Sequence, residues 1–261
     1  MTWWQGFVLG LVQGLTEFLP ISSSGHLVVT EAAIGLTTPG VVMEVALHVA
    51  TLLAVVIVYW SRLWELARGV LRNERDAWRY VGLLTVATIP AGVVGVLFAD
   101  FFERMFDSLL TVGIDFVITG FILWSTRGVV RHAWRQEPEF GSAVVIGFAQ
   151  ALAILPGISR SGSTVAAGLW RHVDPVRAAE FSFLMAIPTI AGAAVLQIPD
   201  LSTGVAGIGA GPLLLSFATA LVAGVLAIRL LVAVLRRRAF HQFAPYCWTI
   251  GVVTVVWAVL R

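Results

Sequence analysis

The sequence predicts an all-α polytopic membrane protein with an inverted-topology repeat, in which each half is a re-entrant helix hairpin followed by three transmembrane helices. Composition, the length of the apolar runs and one duplicated motif carry that expectation. Hydrophobic residues make up 58% of the 261-residue chain and charged residues 12%, at a mean hydropathy of +0.90, whereas soluble domains carry about 25% charged residues. The single Cys247 excludes an intrachain disulfide and a cysteine-built metal cluster, so redox chemistry is not indicated. No basic residues precede the first apolar stretch, which argues against a cleaved signal peptide.

In chain order, the first segment, Trp3 to Ile34, is apolar but broken by Pro20 and a run of serines. Such a segment reads as two half-length helices that dip into the bilayer and return. Three unbroken runs follow, Val42 to Trp60, Tyr80 to Phe98 and Leu109 to Trp124, each close to the ~20 residues that a spanning helix needs. After a boundary near Gln136 to Gly141 the order repeats: a broken segment from Ser142 to Leu169, then runs from Phe181 to Ile198, Leu213 to Leu235 and Phe243 to Leu260. One membrane domain over residues 1–261 thus divides into repeats of about 1–136 and 137–261. Glu44 and Glu180 open corresponding spans, and the stretch from Ala87 loosely resembles that from Ala218.

The formal charge of +2 rests on arginine alone, because the chain has no lysine. Arg62, Arg68, Arg72, Arg75 and Arg79, then Arg127, Arg131 and Arg135, Arg171 and Arg177, and Arg236 to Arg238 fall in the loops of one side. The positive-inside rule makes that side cytoplasmic. The acidic loop with Asp100, Glu103 and Asp107 and the Gly-rich stretch from Pro199 to Gly211 fall on the other, which puts both termini outside. The two broken segments then enter from opposite faces. Arg236 to Arg238 sit at a span's end and read as a topology anchor, so no nucleic-acid partner is expected. Trp3, Trp4, Trp60, Trp64, Trp78 and Trp124 read as an interfacial belt, and Gly92, Gly95, Gly113 and Gly120 as sites of close helix packing.

The broken segments carry the same motif. Gly10, Gln13, Ile21, Ser22, Ser24 and Gly25 in GLVQGLTEFLPISSSGH recur as Gly147, Gln150, Ile158, Ser159, Ser161 and Gly162 in GFAQALAILPGISRSGS. Broken helices placed alike in two halves of a membrane protein point to a site between inverted repeats at the midplane. The copies differ in charge: Glu17 and His26 belong to the first, Arg160 to the second. An ionised group at membrane depth costs about 2.5–3.5 kcal/mol, so Glu17 and Arg160 need partners. Arginine with hydroxyls and backbone amides at a helix start forms a phosphate cradle, which assigns substrate binding to Ser22, Ser24, Ser159, Arg160, Ser161 and Gly162, with Ser163 and Thr164 nearby. Glu17 can hold Mg²⁺ or Ca²⁺ against substrate phosphates, and Gln13, one turn earlier on the same face, is a neutral ligand for the same divalent cation. His26 can move a proton or attack phosphorus, and Ser23 can supply the attacking hydroxyl. The spacing does not choose among Ser23, His26 and an activated water. Glu17, Ser23, His26, Ser159 and Arg160 are expected around one polar cavity that opens outward and has a lateral apolar gap.

QGLTEFLPISSSGH together with PGISRSG resembles the undecaprenyl-diphosphatase family associated with bacitracin resistance, and the likeness runs on through EFSFLMAIP from Glu180. The resemblance implies hydrolysis of undecaprenyl diphosphate to undecaprenyl phosphate and inorganic phosphate, recycling the lipid carrier of cell-wall synthesis. It also implies catalytic roles for Glu17, Ser23 and His26, with phosphate binding by Ser159 and Arg160. The chain departs from the family pattern at Gln13, where many members carry Glu, and at His48, which reads as packing or pocket lining. Asp115, Glu44 and Arg229 read as packing or interface charges. Ser24-Gly25-His26 and Ser159-Arg160 also echo the type 2 phosphatidic acid phosphatases, whose lysine motif a chain without lysine cannot supply. The alternative from another class is a lipid-phosphate flippase, since inverted repeats with broken helices also build carriers. The expected partners are undecaprenyl diphosphate and membrane lipids in the bacterial inner membrane, and a second copy of the chain as a homodimer.

Overall fold

The computed structural model describes residues 1–36, 41–197 and 209–261. Among the described residues the secondary structure is helical apart from one isolated bridge between Arg135 and Val173. Helix α1, Trp3–Phe18, stops where it does because Leu19 precedes Pro20, whose ring disfavours helical backbone one residue upstream; Leu19 is extended, with φ −64° and ψ 144°. Ser22 then caps α2, Ser23–Ile34, which ends at a left-handed Gly35. The second hairpin follows the same plan. Helix α8, Phe140–Leu152, ends ahead of Pro156 and of Gly157 at φ 107°, and Ser159 caps α9, Arg160–Trp170.

The remaining helices are α3, Val41–Val58, α4, Trp60–Leu71, α5, Arg75–Leu97, α6, Ala99–Phe106, and α7, Leu109–Val129, in the first half. In the second half they are α10, Pro175–Leu196, α11, Ala210–Arg236, and α12, Ala244–Leu260. Among the described residues, five helical stretches are long and apolar enough to cross a membrane, those built on α5, α7, α10, α11 and α12. The chain is therefore a multi-pass membrane protein. The sixth expected run, Val42 to Trp60, is α3, which reaches spanning length only together with α4, from which it bends by 76°. The spans overrun their apolar windows, because α5 and α10 begin at Arg75 and Pro175, in arginine-bearing turns that stay helical. The loop expected between Asp100 and Asp107 is largely the short helix α6. The Gly-rich stretch from Pro199 lies outside the described residues as far as 208, as does the end of the predicted run at Ile198.

Small residues bring three helix pairs into backbone contact. Gly6, Gly10 and Gly14 face Pro212, Ser216 and Ala220, so that α1 lies on α11, and a methyl on Gly14 would come within 2.5 Å of the Ala220 carbonyl oxygen. Gly147 seats α8 on α5 at the Ala87 carbonyl, and Gly113 and Gly251 join α7 to α12. Two glycines expected to pack closely do not: Gly92 meets nothing within 4 Å, and Gly95 only Ile154 at an ordinary distance. Each hairpin's first helix thus rests on a long span, and the tips of both reach the flank of α7. At the arginine-rich end, Arg62 bonds Glu180 and Glu65 at 3.0 Å each and approaches Glu137 at 3.7 Å, while Arg177 bonds Glu180 at 3.1 Å. That cluster ties α4, α10 and the segment before α8. Arg238 donates to the carbonyls of Val130 and Arg131, so the Arg236 to Arg238 run anchors α11 to the end of α7.

Candidate active site at the hairpin tips

The two tips carry equivalent hydrogen bonds on equivalent residues. Ser22 Oγ accepts from the Gly25 amide at 3.4 Å and lies 3.3 Å from Ser24 Oγ. Ser159 Oγ accepts from the Gly162 amide at 3.0 Å and lies 3.2 Å from Ser161 Oγ. Ser22 and Ser159 therefore have a structural duty first, as caps of α2 and α9. Gly162, expected to offer its amide to phosphate, has it engaged by Ser159 in this conformation.

The tips also touch. Ser161 Oγ donates to the Leu19 carbonyl at 3.2 Å, and the close approach of Gly25 to Gly157 leaves no room for a side chain, since a Cβ there would lie 2.9 Å from the Gly157 Cα. Thr119 clamps the second tip, donating to the Gly157 carbonyl at 2.9 Å and accepting from the Ser159 amide at 3.1 Å. It stands halfway along α7, so both tips meet at the middle of a spanning helix. Sequence reading missed Thr119, because nothing in its neighbours marks it.

At that junction Arg160 Nη2 pairs with Glu17 Oε1 across a sequence separation of 143 residues. The other carboxylate oxygen of Glu17 accepts from Ser23 Oγ at 2.5 Å and from Gln13 Nε2 at 3.2 Å. Gln13, Ser23 and Arg160 thus all contact Glu17. The Glu17 and Arg160 side chains are only 6% and 16% exposed, so the ion pair fills the junction where an open polar cavity was expected. A shallow, open concavity of about 400 Å³ lies instead at the α3–α4 bend, between Tyr59, Val176, Ile228 and Arg229. Two polar atoms of the junction are buried without a partner, Gln13 Oε1 and Arg160 Nη1. Leaving such groups unpaired costs about 1–3 kcal/mol each, more for a charge, and a ligand that offers both an acceptor and a positive centre would satisfy the two.

His26 stands one turn into α2 and points elsewhere. Its Nδ1 lies 2.7 Å from the Ser22 carbonyl oxygen and its Nε2 2.8 Å from the Tyr246 hydroxyl of α12. Asp115, read from sequence as a packing or interface charge, lies against the second tip, where a Cβ on Gly157 would come within 2.7 Å of its own Cβ. Its Oδ2 is buried without a partner, as is Ser163 Oγ on α9. Thr164 bonds Ser182 of α10 at 2.6 Å, which fastens α9 from behind.

Among the described residues, no group of three or more His, Cys, Asp or Glu could hold a metal ion. A hard cation held by one carboxylate, one amide oxygen and substrate phosphates needs no such group. Gln13 Oε1, buried and unpartnered beside the Glu17 carboxylate, fits that demand.

A model of the family described as "Bacitracin resistance protein BacA" matches residues 6–253. The chain is 38% identical over 273 residues to an undecaprenyl-diphosphatase of Desulforapulum autotrophicum, covering 98% of both. It is 41% identical over 276 residues to one of Desulfosudis oleivorans, again covering 98% of both. Its identity to undecaprenyl-diphosphatase 4 of Bacillus thuringiensis is 38% over 257 residues, or 98% of this chain and 97% of that one.

Proposed function

The chain belongs to the bacitracin resistance protein BacA family, and from that premise we propose that it is an undecaprenyl-diphosphatase whose active centre is the junction of the two hairpin tips. It hydrolyses undecaprenyl diphosphate to undecaprenyl phosphate and inorganic phosphate. The observation that carries the site is the Glu17–Arg160 pair, which joins the two motif copies and leaves Gln13 Oε1 and Arg160 Nη1 buried beside it without partners.

Arg160 binds the terminal phosphate through a guanidinium partly released from Glu17, and the start of α9 adds its positive end. Ser23 already donates to Glu17, the contact that a nucleophile makes with its general base. Ser23 Oγ attacks the terminal phosphorus, Glu17 takes its proton, and the bond from that phosphorus to the bridging oxygen breaks, releasing undecaprenyl phosphate. Water then cleaves the phosphoserine to inorganic phosphate. Gln13 and Glu17 are the residues that would hold Mg²⁺ or Ca²⁺, which neutralises diphosphate charge when bound. His26 Nε2 is engaged by Tyr246, and this favours Ser23 over His26 as the attacking group.

The arginine distribution supports a bacterial inner-membrane location with inverted halves, both termini outside and the site reached from the outer face. Homodimerisation is tested by the mass of the detergent-solubilised particle. Phosphate release from farnesyl diphosphate by the purified protein tests the activity, since a lipid-phosphate flippase would release none. A trapped phosphoenzyme that survives acid identifies Ser23, and an acid-labile one identifies His26.

A further inference from the structure

Tyr246 belongs to neither motif and lies on α12, yet it holds the one nitrogen of His26 that chemistry at the site could use. The Ser22 carbonyl oxygen, 2.7 Å from Nδ1, can only accept a hydrogen bond, so Nδ1 carries a proton. Among the described residues no carboxylate reaches either ring nitrogen. The ring is then the neutral tautomer with its lone pair on Nε2, and the Tyr246 hydroxyl, 2.8 Å away, donates to it. Aromatic contacts fix the plane as well. Tyr246 stacks on the imidazole at 5.7 Å with 5° between planes, and Phe116 meets it edge-on at 4.9 Å.

A histidine base is oriented by a partner on one nitrogen and presents the other to its proton. Here the Ser22 carbonyl is the orienting partner, and Tyr246 occupies the presenting position. Tyr246 is 47% exposed, so its hydroxyl can be exchanged for an incoming group without opening the core. We infer that Tyr246 is a positioning residue for His26: its hydroxyl holds the Nε2 lone pair of the tautomer that the Ser22 carbonyl fixes, and keeps the ring in this orientation until water or phosphate takes its place. The inference rests on the catalytic role that the family resemblance implies for His26.

Tyr246→Phe keeps the stacked ring and removes only the donor. In full-length detergent-solubilised protein, diethyl pyrocarbonate should then modify His26 severalfold faster, read by peptide mass mapping, because the reagent attacks the bare nitrogen. The kcat for farnesyl diphosphate should fall about tenfold or less, the scale of one neutral hydrogen bond, with KM within about twofold. An unchanged modification rate overturns the hydroxyl contact, and an unchanged kcat overturns the positioning role. Full turnover by His26→Ala would overturn the assignment of His26 to the site, a failure distinct from both.

Discussion

Glu17 and Arg160 are each a liability without the other. Removing one partner of a buried pair leaves an uncompensated charge, at a cost of about 3–5 kcal/mol, so conservative changes are the informative ones. Glu17→Gln keeps the shape of the side chain but accepts at one oxygen where the carboxylate accepts at two, and it should lower phosphate release at least about 100-fold, the share of a general base. Arg160→Ala should lower it as far, and near-normal turnover by either variant would remove that residue from the centre. Excess chelator should stop turnover and added Mg²⁺ or Ca²⁺ restore it, while Gln13→Glu keeps that requirement. Full activity in chelator would refute the cation, and loss of activity in Gln13→Glu would mean that the position needs its amide. The charged pair was legible in the sequence, because two opposite charges at membrane depth in matching motifs can be satisfied by each other. Tyr246 was not, since its contact with His26 depends on where α12 lies beside α2.

Helix seams decide where the tips sit. Gly14 and Gly92 are both mid-helix glycines, and their substitution by alanine should act in opposite directions. At Gly14 the added methyl meets the Ala220 carbonyl at 2.5 Å and the Ala223 Cβ at 2.7 Å, an overpacking that costs about 1–3 kcal/mol and should lower the thermal midpoint. At Gly92 it meets nothing within 4 Å, so alanine's better helix propensity should stabilise α5 by up to about 1 kcal/mol. Equal shifts in the two variants would show that α1 does not rest on α11 through its glycines. The spacing of Gly6, Gly10 and Gly14, small residues one turn apart, is a signal that the sequence reading missed. The role of Gly92 misled because exposure to lipid and burial against a helix select the same small residue. The bend between α3 and α4 was hidden for a related reason: the apolar run continues into Trp60, and hydropathy alone does not show where an axis turns.

On the scale of the whole molecule, polar ties between the halves are spread along the chain, among them Arg62 to Glu180, Arg238 to Val130 and Arg131, and His26 to Tyr246. Besides the junction, the Arg135 carbonyl accepts from the Asp174 amide at 2.8 Å, and the Trp134 and Arg135 amides both donate to the His172 carbonyl at 2.9 Å. Fragments 1–136 and 137–261 made together should therefore reassemble and release phosphate, whereas 1–136 made alone should be degraded. Assembly is read by co-purification through a tag on one fragment, and failure of the two to associate would show that chain continuity, not complementarity, holds the halves. Glu17 also leaves the ribosome 143 residues ahead of Arg160, which at ordinary synthesis speeds is roughly 7–30 s. Through that interval the first hairpin carries a carboxylate with no counter-charge, and the bilayer interior rejects it. The hairpin made first is thus the last to settle, drawn to its final depth only when the second arrives.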